Sequence, residues 1–400
     1  MIDEIIDTLP EKIDEPGRER FSSAERFGEL LRLNLEKDPH FYFFSPDETT
    51  SNRLDAVFNA SQRAWAGLEV KPWDLPESAD GRIVELLSEN TLFATMVGHV
   101  LGNREQAVFA SYESFLTIVT SQILQHIKFL TQAEQVGREP YPAVNLLSTS
   151  TCWRQDHNGF SHQSPALISS LLDIPSRKVN CLFPVDDIAA VATYKYMLSS
   201  ENVVNLTTFN KSLEPRWIDK NHAEFQYENA GASIFGFAST ENPDYVFTAA
   251  GDIPTREALY AIAILRKDMP EVRIRFVGIT ALSHNSIGTV DNPMSYQKFN
   301  ELYGGKKPII ANFHGYPDTL QNILRNYADD YRIRTHGFIE QGSTTTPFEM
   351  LNLNHASRYD LALEVAEDRN RGDLVEKYEG ILAQNAKYAR EHGVDLPEMV

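Results

Sequence analysis

Short apolar runs alternate with helical patterns along the first half of the chain. The runs that favour strands are residues 41–44, 107–110, 144–147, 179–183 and 203–208. Apolar side chains recur at helical spacing over residues 21–35, 82–88, 91–101 and 113–130, and Ser22 or Ser23 is a suitable cap for the first of these helices. Short buried strands separated by helices predict a parallel sheet in an α/β domain.

The rhythm breaks at residues 211–232, which are polar, contain Pro215 and alternate in charge. We interpret this stretch as a linker that leads into a second α/β unit. Strands are predicted there at residues 245–249, 272–279, 308–313 and 333–339. A helix is predicted over residues 256–266, with Thr255 as its cap. Further helices are predicted to begin at Pro347 and to cover residues 374–388. The predicted fold class is therefore α/β, with two consecutive domains whose mostly parallel sheets are flanked by helices.

Composition narrows the possible partners of this 400-residue chain. It has 37 basic and 56 acidic residues and a net charge of -19, which argues against nucleic acid or anionic membranes as partners. A small phosphorylated substrate remains possible because it needs only a few local cations. Cys152 and Cys181 are the two cysteines, which excludes a disulfide framework and favours a reducing cytoplasm. Residues 1–14 lack the pattern of a signal peptide.

The densest cluster of polar side chains lies in residues 153–163, directly after a predicted strand. It contains His157, His162, Gln155 and Asn158 among other polar groups. Polar groups on a loop that follows a buried strand are where α/β proteins place ligand chemistry. Ordinary surface histidines remain an alternative interpretation. Metal binding is disfavoured because these histidines lack a recognised ligand spacing.

Further motifs accompany this loop. They are Ser45-Pro46-Asp47-Glu48-Thr49-Thr50-Ser51-Asn52-Arg53-Leu54, Ser88-Glu89, Ser111-Tyr112-Glu113-Ser114-Phe115, Gly251-Asp252-Ile253-Pro254-Thr255, Phe313-His314-Gly315-Tyr316-Pro317 and the run from Gln341 to Phe348. Together they resemble phosphoketolases, the thiamine-diphosphate enzymes that split ketose phosphates to acetyl phosphate. The resemblance covers about residues 20–400. It implies a leader and helix (1–30), a pyrimidine-binding domain (31–218) and a transketolase-like C-terminal domain (219–400).

The resemblance assigns cofactor activation to Glu89, which the pattern alone would make a capping or solvated residue. In the family, this glutamate bonds the aminopyrimidine ring of thiamine diphosphate and favours the imino form, which takes the proton from the thiazolium carbon. Phe115 is then expected in the wall of the pyrimidine pocket and Tyr112 near the cofactor and substrate. Ordinary core packing is the other interpretation of these two aromatic residues, which are three apart.

The remaining site residues also follow from the resemblance. Ser51 and Arg53 are expected at the phosphate end of the sugar, where a guanidinium can form two parallel hydrogen bonds. A turn with a capped helix would equally explain this run, in which Ser45 replaces the family's Gly.

The loop residues have expected roles as well. His162 is expected to perform acid/base work, which imidazole suits near neutral pH. Gln155, His157 and Asn158 are expected to contact substrate, with Gln155 and Asn158 also counted among the catalytic residues. Lys211 matches a substrate-binding lysine, but its neighbours differ from the family's.

A phosphoketolase also has a domain that holds the diphosphate and Mg²⁺ through a Gly-Asp-Gly run, which these 400 residues lack. We therefore expect a separate partner subunit to supply that domain, so that thiamine diphosphate is shared between the chains and Mg²⁺ is held by the partner. Two alternatives are a transketolase-like subunit for ketol transfer and a non-catalytic regulatory relic.

Overall fold

The structure is a computed structural model that describes residues 5–46, 48–65, 77–339 and 344–399. Asp47 and the Gln341-Gly342-Ser343 part of the last motif lie outside the described residues. The chain divides into two compact units. Unit 1 comprises Met1–Ser150 and Ser170–Phe225, and unit 2 comprises Thr151–Ser169 and Gln226–Val400.

Unit 1 is built on a parallel sheet flanked by helices. Its strands are β1 (Arg20–Phe21), β2 (Tyr42–Ser45), β3 (Arg63–Ala64), β4 (Glu77–Ser78), β5 (Ile83–Glu85), β6 (Ala107–Tyr112), β7 (Val144–Thr149), β8 (Val179–Leu182), β9 (Val204–Thr208) and β10 (Glu214–Pro215). Its helices are α1 (Ser23–Lys37), α2 (Glu89–Asn103), α3 (Thr120–Gln135) and α5 (Asp187–Ser199), and α4 (Ala166–Leu172) crosses the boundary between the units.

Eight of these strands lie side by side in the order β8-β9-β7-β6-β2-β5-β3-β4, and every pair among them is parallel. The central strands β6 and β7 are almost wholly buried. This explains why they appear in the sequence as continuous apolar runs rather than as alternating ones. The parallel sheet predicted for the first domain is present.

Helix α1 shows how a local signal and core packing combine. Ser22, one of the two predicted caps, caps this helix by accepting a hydrogen bond from the Glu25 backbone N–H. Its apolar face buries Phe27, whose ring stacks on Phe209 with centroids 4.3 Å apart.

The prediction of a helix over residues 82–88 is wrong, because Ile83–Glu85 forms strand β5 beside β2. A three-residue strand is too short to show the alternation that separates strand from helix. The Arg82 side chain also fixes this position by donating to the backbone carbonyls of Asp38 and Leu35, which lie far away in sequence.

The helix predicted over residues 113–130 is two elements. Residues Glu113–Val119 form a 3₁₀ helix, and α3 begins only at Thr120. The buried residues of the first segment are Glu113, Leu116 and Val119. Their spacing of three matches the period of a 3₁₀ helix, which the sequence pattern does not distinguish from an α-helix over so few turns.

The predicted linker, residues 211–232, is more ordered than its polarity suggests. It contains β10 and helix α6 (Lys220–Glu228), which carries the chain into unit 2. Strand β10 pairs antiparallel with β1. The buried carboxylate of Asp186 accepts hydrogen bonds from the backbone N–H groups of Trp217 and Ile218 at 2.8 and 3.1 Å. A partner some thirty residues away thus orders a segment whose own sequence looks like a linker.

Unit 2 contains a second, mostly parallel sheet. The strands of unit 2 are β11 (Ala232–Ile234), β12 (Tyr245–Ala250), β13 (Ile274–Ile279), β14 (Ala281–Ser283), β15 (Ser286–Ile287), β16 (Ile309–Phe313) and β17 (Ile333–His336). Its helices are α7 (Asp252–Asp268), α8 (Tyr296–Tyr303), α9 (Pro317–Leu324), α10 (Pro347–Leu353), α11 (Arg358–Asp368) and α12 (Gly372–His392).

Five of these strands form the sheet β11-β13-β12-β16-β17, in which only the β11–β13 pair is antiparallel. The predicted start of a helix at Pro347 is confirmed. Helix α7, however, begins at Asp252 after Gly251, which has a φ of 109°, so Thr255 lies inside the helix and is not its cap. None of the helices formed by the described residues is both long and apolar enough to cross a membrane.

Candidate functional site

The predicted site residues fall into two groups, one in each unit. The group in unit 1 gathers at the carboxyl ends of β2 and β6, which are neighbours in the parallel sheet. Glu48 follows β2, and Tyr112 is the last residue of β6. The Tyr112 backbone N–H donates to the Glu48 carboxylate at 3.1 Å. This strand edge is the usual location of ligand sites in α/β sheets.

Ser51, Tyr112 and Lys211 meet in this group although they come from three distant parts of the chain. The Tyr112 hydroxyl donates to the Ser51 hydroxyl at 3.0 Å, and the Ser51 hydroxyl donates to the Glu48 carbonyl at 3.0 Å. Lys211 donates from Nζ to the Ser51 carbonyl at 3.0 Å, and this Nζ lies 5.0 Å from the centroid of the Tyr112 ring. Lys211 therefore reaches the predicted cluster even though its sequence neighbours differ from the family pattern.

Two aromatic rings form one side of this cluster. The rings of Tyr112 and Phe115 are nearly parallel, with an interplanar angle of 5° and centroids 6.1 Å apart. Both side chains are half-buried. The 3₁₀ segment that carries Phe115 packs against helix α2. The arrangement offers two parallel, half-buried aromatic rings of the kind that can pack against a planar ring.

Glu89 is the first residue of helix α2. Ser88 caps the helix by accepting a hydrogen bond from the Thr91 backbone N–H. A carboxylate at this position is favoured by the partial positive charge of the helix N-terminus. Glu89 is half-buried, and its charge acts on Glu48. The structure thus places the predicted cofactor-activating carboxylate within electrostatic range of the unit 1 cluster.

Arg53 has an uncommon backbone conformation. Its φ is 58°, in the left-handed region that is rare for non-glycine residues and recurs at functional sites. Its guanidinium forms an ion pair with Glu25 at 3.1 Å, and both side chains are exposed. An exposed pair of this kind is weak, so an incoming anion can compete for the guanidinium.

Glu48 is the functional candidate that sequence reasoning missed. Burial, together with the charge of Glu89, raises the pKa of Glu48 to about 7, while the hydrogen bond from Tyr112 and the charge of Lys211 oppose the rise. Glu48 lies in the motif that predicted Ser51 and Arg53 as site residues, but no role was predicted for Glu48 itself. Its position three residues after a buried strand, at the carboxyl edge of the sheet, was the available signal.

The second group lies on the loop of unit 2. Gln155 is fully buried; its side-chain carbonyl accepts a hydrogen bond from Asn158 at 2.5 Å, and its backbone carbonyl accepts one from Gln163 at 2.8 Å. The Nε2 atom of Gln155 is buried and has no hydrogen-bond partner within the described part of the chain. An unsatisfied buried donor of this kind suits an acceptor atom on a ligand.

The two histidines of this loop are less enclosed. His162 Nδ1 lies 2.9 Å from the Ser161 hydroxyl, and His157 Nδ1 lies 3.9 Å from the Asp156 carboxylate. The His157 side chain is 68% exposed. Both rings are therefore accessible to a ligand, as acid/base or binding groups need to be.

The C-terminal motifs support the loop. Trp153 donates from its indole N–H to the His314 carbonyl at 2.9 Å, and its ring packs edge-on against Phe338. The Thr345 backbone N–H donates to the Asp156 carbonyl at 3.2 Å. Two motifs that lie well over a hundred residues from the loop thus hold it within unit 2.

Comparison with known proteins identifies both halves of the chain. A family model described as D-xylulose 5-phosphate/D-fructose 6-phosphate phosphoketolase matches residues 24–200, and the C-terminal domain of the same family matches residues 211–400. A probable phosphoketolase of Brucella suis biovar 1 is 36% identical over 401 residues, and one of Pseudomonas putida is 35% identical over 396 residues. The alignments cover 97% and 96% of this chain but 50% of each relative. The chain therefore spans about half the length of the curated relatives it matches.

Solved transketolases share the fold. The enzyme of Pichia stipitis in complex with sedoheptulose 7-phosphate matches with a TM-score of 0.65 at 13% identity, covering 94% of this chain and 48% of that one. The Leishmania mexicana transketolase matches with a TM-score of 0.66 at 12% identity, covering 93% of this chain and 47% of that one. A structure described as the inactive beta4 tetramer of a split-gene transketolase matches with a TM-score of 0.59 at 15% identity, covering 87% of this chain and 98% of that one. The chain has a transketolase-like α/β fold.

Proposed function

Because this chain belongs to the phosphoketolase family, we propose that it is one subunit of a split, thiamine-diphosphate-dependent phosphoketolase. The complete enzyme cleaves xylulose 5-phosphate, fructose 6-phosphate or both with inorganic phosphate. Its products are acetyl phosphate and an aldose phosphate. This chain contributes the pyrimidine-binding and C-terminal domains. A separate polypeptide contributes the domain that holds the diphosphate and its Mg²⁺.

The observation that carries this proposal is the hydrogen-bonded cluster at the carboxyl ends of β2 and β6. It brings Ser51, Tyr112 and Lys211 together from segments that are up to 160 residues apart. A hydroxyl, an aromatic ring and a cation gathered at this edge suit a phosphorylated sugar and a flat cofactor ring. Their motifs would not need to converge in space if they served only local capping or packing.

The residues present fit the pyrimidine half of thiamine diphosphate. Glu89 lies at a helix start, half-buried, where its carboxyl group can share a proton with a ring nitrogen. Phe115 and Tyr112, on segments that pack against this helix, present nearly parallel rings for packing against the pyrimidine. When bound, the cofactor would supply a thiazolium carbon as the nucleophile towards the ketose carbonyl. Glu89 is the group of this chain that would hold the pyrimidine ring nitrogen and share a proton with it.

The phosphate end of the sugar is assigned to Arg53, Ser51 and Lys211. Lys211 already donates to the Ser51 backbone, which fixes its ammonium close to the Ser51 hydroxyl. Arg53 can exchange its exposed partner Glu25 for the phosphate, to which a guanidinium binds through two parallel hydrogen bonds.

The loop of unit 2 is assigned to the later steps, in which a hydroxyl must leave as water before phosphate attacks. His162 is accessible and serves as the acid/base group that protonates this hydroxyl. Gln155 offers its unsatisfied amide donor to the substrate, and Asn158 orients that amide through its own hydrogen bond. His157 is a further substrate contact.

One comparison supports the assignment of the diphosphate domain to a second polypeptide. The split-gene transketolase chain that this fold resembles is covered over 98% of its length. A chain made of the same two domains thus has a structural precedent among split enzymes.

Product analysis tests the proposed reaction. The chain is combined with a candidate partner that carries the Gly-Asp-Gly signature, and xylulose 5-phosphate, inorganic phosphate, thiamine diphosphate and Mg²⁺ are supplied. We expect acetyl phosphate and glyceraldehyde 3-phosphate in equal amounts. Transfer of the two-carbon unit to an added aldose phosphate, without acetyl phosphate, would replace the proposal with transketolase-like ketol transfer. A stable complex that forms neither product would indicate a regulatory relic.

A further inference from the structure

Lys211 lies in a turn that is closed by one buried side chain. The Oδ1 atom of Asn210 accepts the Ser212 backbone N–H at 2.6 Å, and its Nδ2 atom donates to the Glu214 carboxylate at 2.6 Å. Asn210 and Glu214 are both buried. An Asn side chain that bonds the backbone two residues ahead is a common way to fix a turn. The amide of Asn210 thus spans Lys211 and sets the shape of residues 210–214.

A distant N-terminal segment holds the same turn from outside. The Ser22 hydroxyl donates to the Lys211 carbonyl at 3.1 Å, across 189 residues of sequence, and Ser22 also caps α1. The preceding residue, Phe21, pairs with Glu214 in the antiparallel ladder of β1 and β10. Both the middle and the end of the turn are therefore attached to one short segment of unit 1.

These bonds fix the backbone from which the Lys211 side chain extends. Its Nζ atom donates to the Ser51 carbonyl at 3.0 Å and lies 5.0 Å from the centroid of the Tyr112 ring. A lysine ammonium is a point charge on a flexible four-carbon stem, so holding it in one place costs conformational entropy. A turn that fixes the backbone in advance lowers this cost when an anion binds.

We infer that Asn210 is a positioning residue which, through its bond to Glu214, holds the Lys211 ammonium where it meets the phosphate of the sugar. The inference rests on the proposed function for the phosphate. The position of Lys211 is a property of this chain, and it can be measured without a partner or turnover. Asn210 uses both ends of its amide within the turn, so it acts on the phosphate through Lys211. Ser22 provides a second attachment for the same backbone.

Nuclear magnetic resonance of the full chain, labelled with ¹³C-lysine, tests this inference directly. The Lys211 resonance is identified by its loss in Lys211→Arg, and inorganic phosphate is the probe. In the unaltered chain the two Hε protons of Lys211 should have distinct shifts beside the Tyr112 ring, and phosphate should move them. Asn210→Ala should merge the two shifts towards those of a free lysine. It should also weaken the phosphate affinity read at Lys211 by roughly three- to tenfold. The exposed Leu213, in the same turn, provides the control Leu213→Ala, which should change neither reading.

Further variants separate positioning from general support of the fold. Asn210→Asp alone should not preserve the hold, because it places two carboxylates side by side. Asn210→Asp combined with Glu214→Gln exchanges the donor and the acceptor of the bond and should restore both readings. In the reconstituted complex, Asn210→Ala should raise the KM for xylulose 5-phosphate and leave kcat nearly unchanged. In a Lys211→Ala background it should add no further loss, since it acts through that side chain.

Two results would overturn the inference. One is a pair of Lys211 Hε shifts that stays distinct in Asn210→Ala. The other is a loss from Asn210→Ala that adds fully to the loss from Lys211→Ala, as a merely structural role would produce. A Lys211 resonance that is held in place but does not respond to phosphate would refute the phosphate assignment of the proposed function. Loss of that hold in Asn210→Ala would still support Asn210 as the positioning residue.

Discussion

The two groups of site residues are built in different ways. The group in unit 1 collects side chains from four separate segments and links them through strand ends, as in the bond from Tyr112 to Glu48. The group in unit 2 lies within one loop, where Asn158 and Gln163 bond Gln155 over three and eight residues. Long-range convergence suits binding of a large, shared cofactor, whereas a short internally bonded loop suits accurate placement of a few acid/base groups. Under the proposed function, unit 1 would hold and activate the cofactor, and unit 2 would transfer protons.

The largest expected effect tests the activating role in unit 1. Glu89→Gln should abolish exchange of the thiazolium proton in the reconstituted complex, because an amide cannot share a proton with the ring nitrogen as a carboxyl group does. The readout is hydrogen–deuterium exchange at the thiazolium carbon of bound thiamine diphosphate. Unfolding of the isolated variant should match that of the unaltered chain. An unchanged exchange rate would remove Glu89 from this role.

The next effect tests the proton-transfer role of the loop in unit 2. His162→Ala should slow acetyl phosphate formation by on the order of 10²–10⁴, the usual contribution of a positioned general acid. The first carbon–carbon cleavage should survive better, and single-turnover release of the aldose phosphate measures it. His157→Ala, on the same loop, is the matched control and should chiefly weaken substrate binding. Equal losses in both steps for His162→Ala would contradict the division of labour between the two groups.

The contrast between the groups also explains what the sequence could and could not predict. The loop that contains Gln155 and His162 stands out by composition alone, because its polar residues are adjacent in the chain. The unit 1 cluster has no such local signal, since Ser51, Tyr112 and Lys211 are far apart and only the resemblance to a family linked them. The sheets follow from short continuous apolar runs, and most helices follow from apolar positions at helical spacing.

Two of the wrong predictions have a common physical cause. The three-residue strand β5 and the segment before α6 are fixed by distant partners, namely the Arg82 contacts with backbone carbonyls and the buried Asp186 carboxylate. Glu48 was missed for a related reason. Its raised pKa arises from burial and from the charge of Glu89, neither of which its own motif contains.

A third prediction concerns stability and the carboxyl group at the centre of the unit 1 cluster. The folded-state pKa of Glu48 is raised from 4.5 to about 7, so the protonated form is favoured by folding. Its stabilising contribution is therefore complete below about pH 4.5 and is lost as the pH rises through about 7. Glu48→Gln, which resembles the protonated form, should match the unaltered chain near pH 4.5 and exceed it in unfolding free energy at pH 8. The expected difference is on the order of 1–3 kcal/mol.

Urea unfolding of both chains between pH 4.5 and 8 measures this effect, with Glu139→Gln as the exposed control. A difference between Glu48→Gln and the unaltered chain that does not depend on pH would show that Glu48 titrates as an ordinary carboxyl group. The long-range cluster would then lack the electrostatic coupling that distinguishes it from the loop in unit 2.

The smallest expected effect concerns Arg53, the exposed cation predicted to bind the phosphate of the sugar. Arg53→Ala should raise the apparent KM for the sugar phosphate by roughly tenfold, since one phosphate contact is lost, and it should change kcat little. The stability of the chain should hardly change, because the exposed pair with Glu25 contributes about 1 kcal/mol at most. Glu25→Ala, which removes the competing partner, is the matched control and should leave KM unchanged or lower it. A fall in kcat with constant KM for Arg53→Ala would place Arg53 with the proton-transfer groups instead.

The central claim is that this chain forms an active phosphoketolase only together with a second polypeptide that holds the diphosphate. The most direct measurement titrates a partner bearing the Gly-Asp-Gly run into a fixed amount of the chain and follows acetyl phosphate formation from xylulose 5-phosphate. The account predicts no turnover and weak thiamine diphosphate binding for the chain alone, and activity that rises with the partner until the two are equimolar. Robust phosphoketolase activity from the isolated 400-residue chain would contradict it.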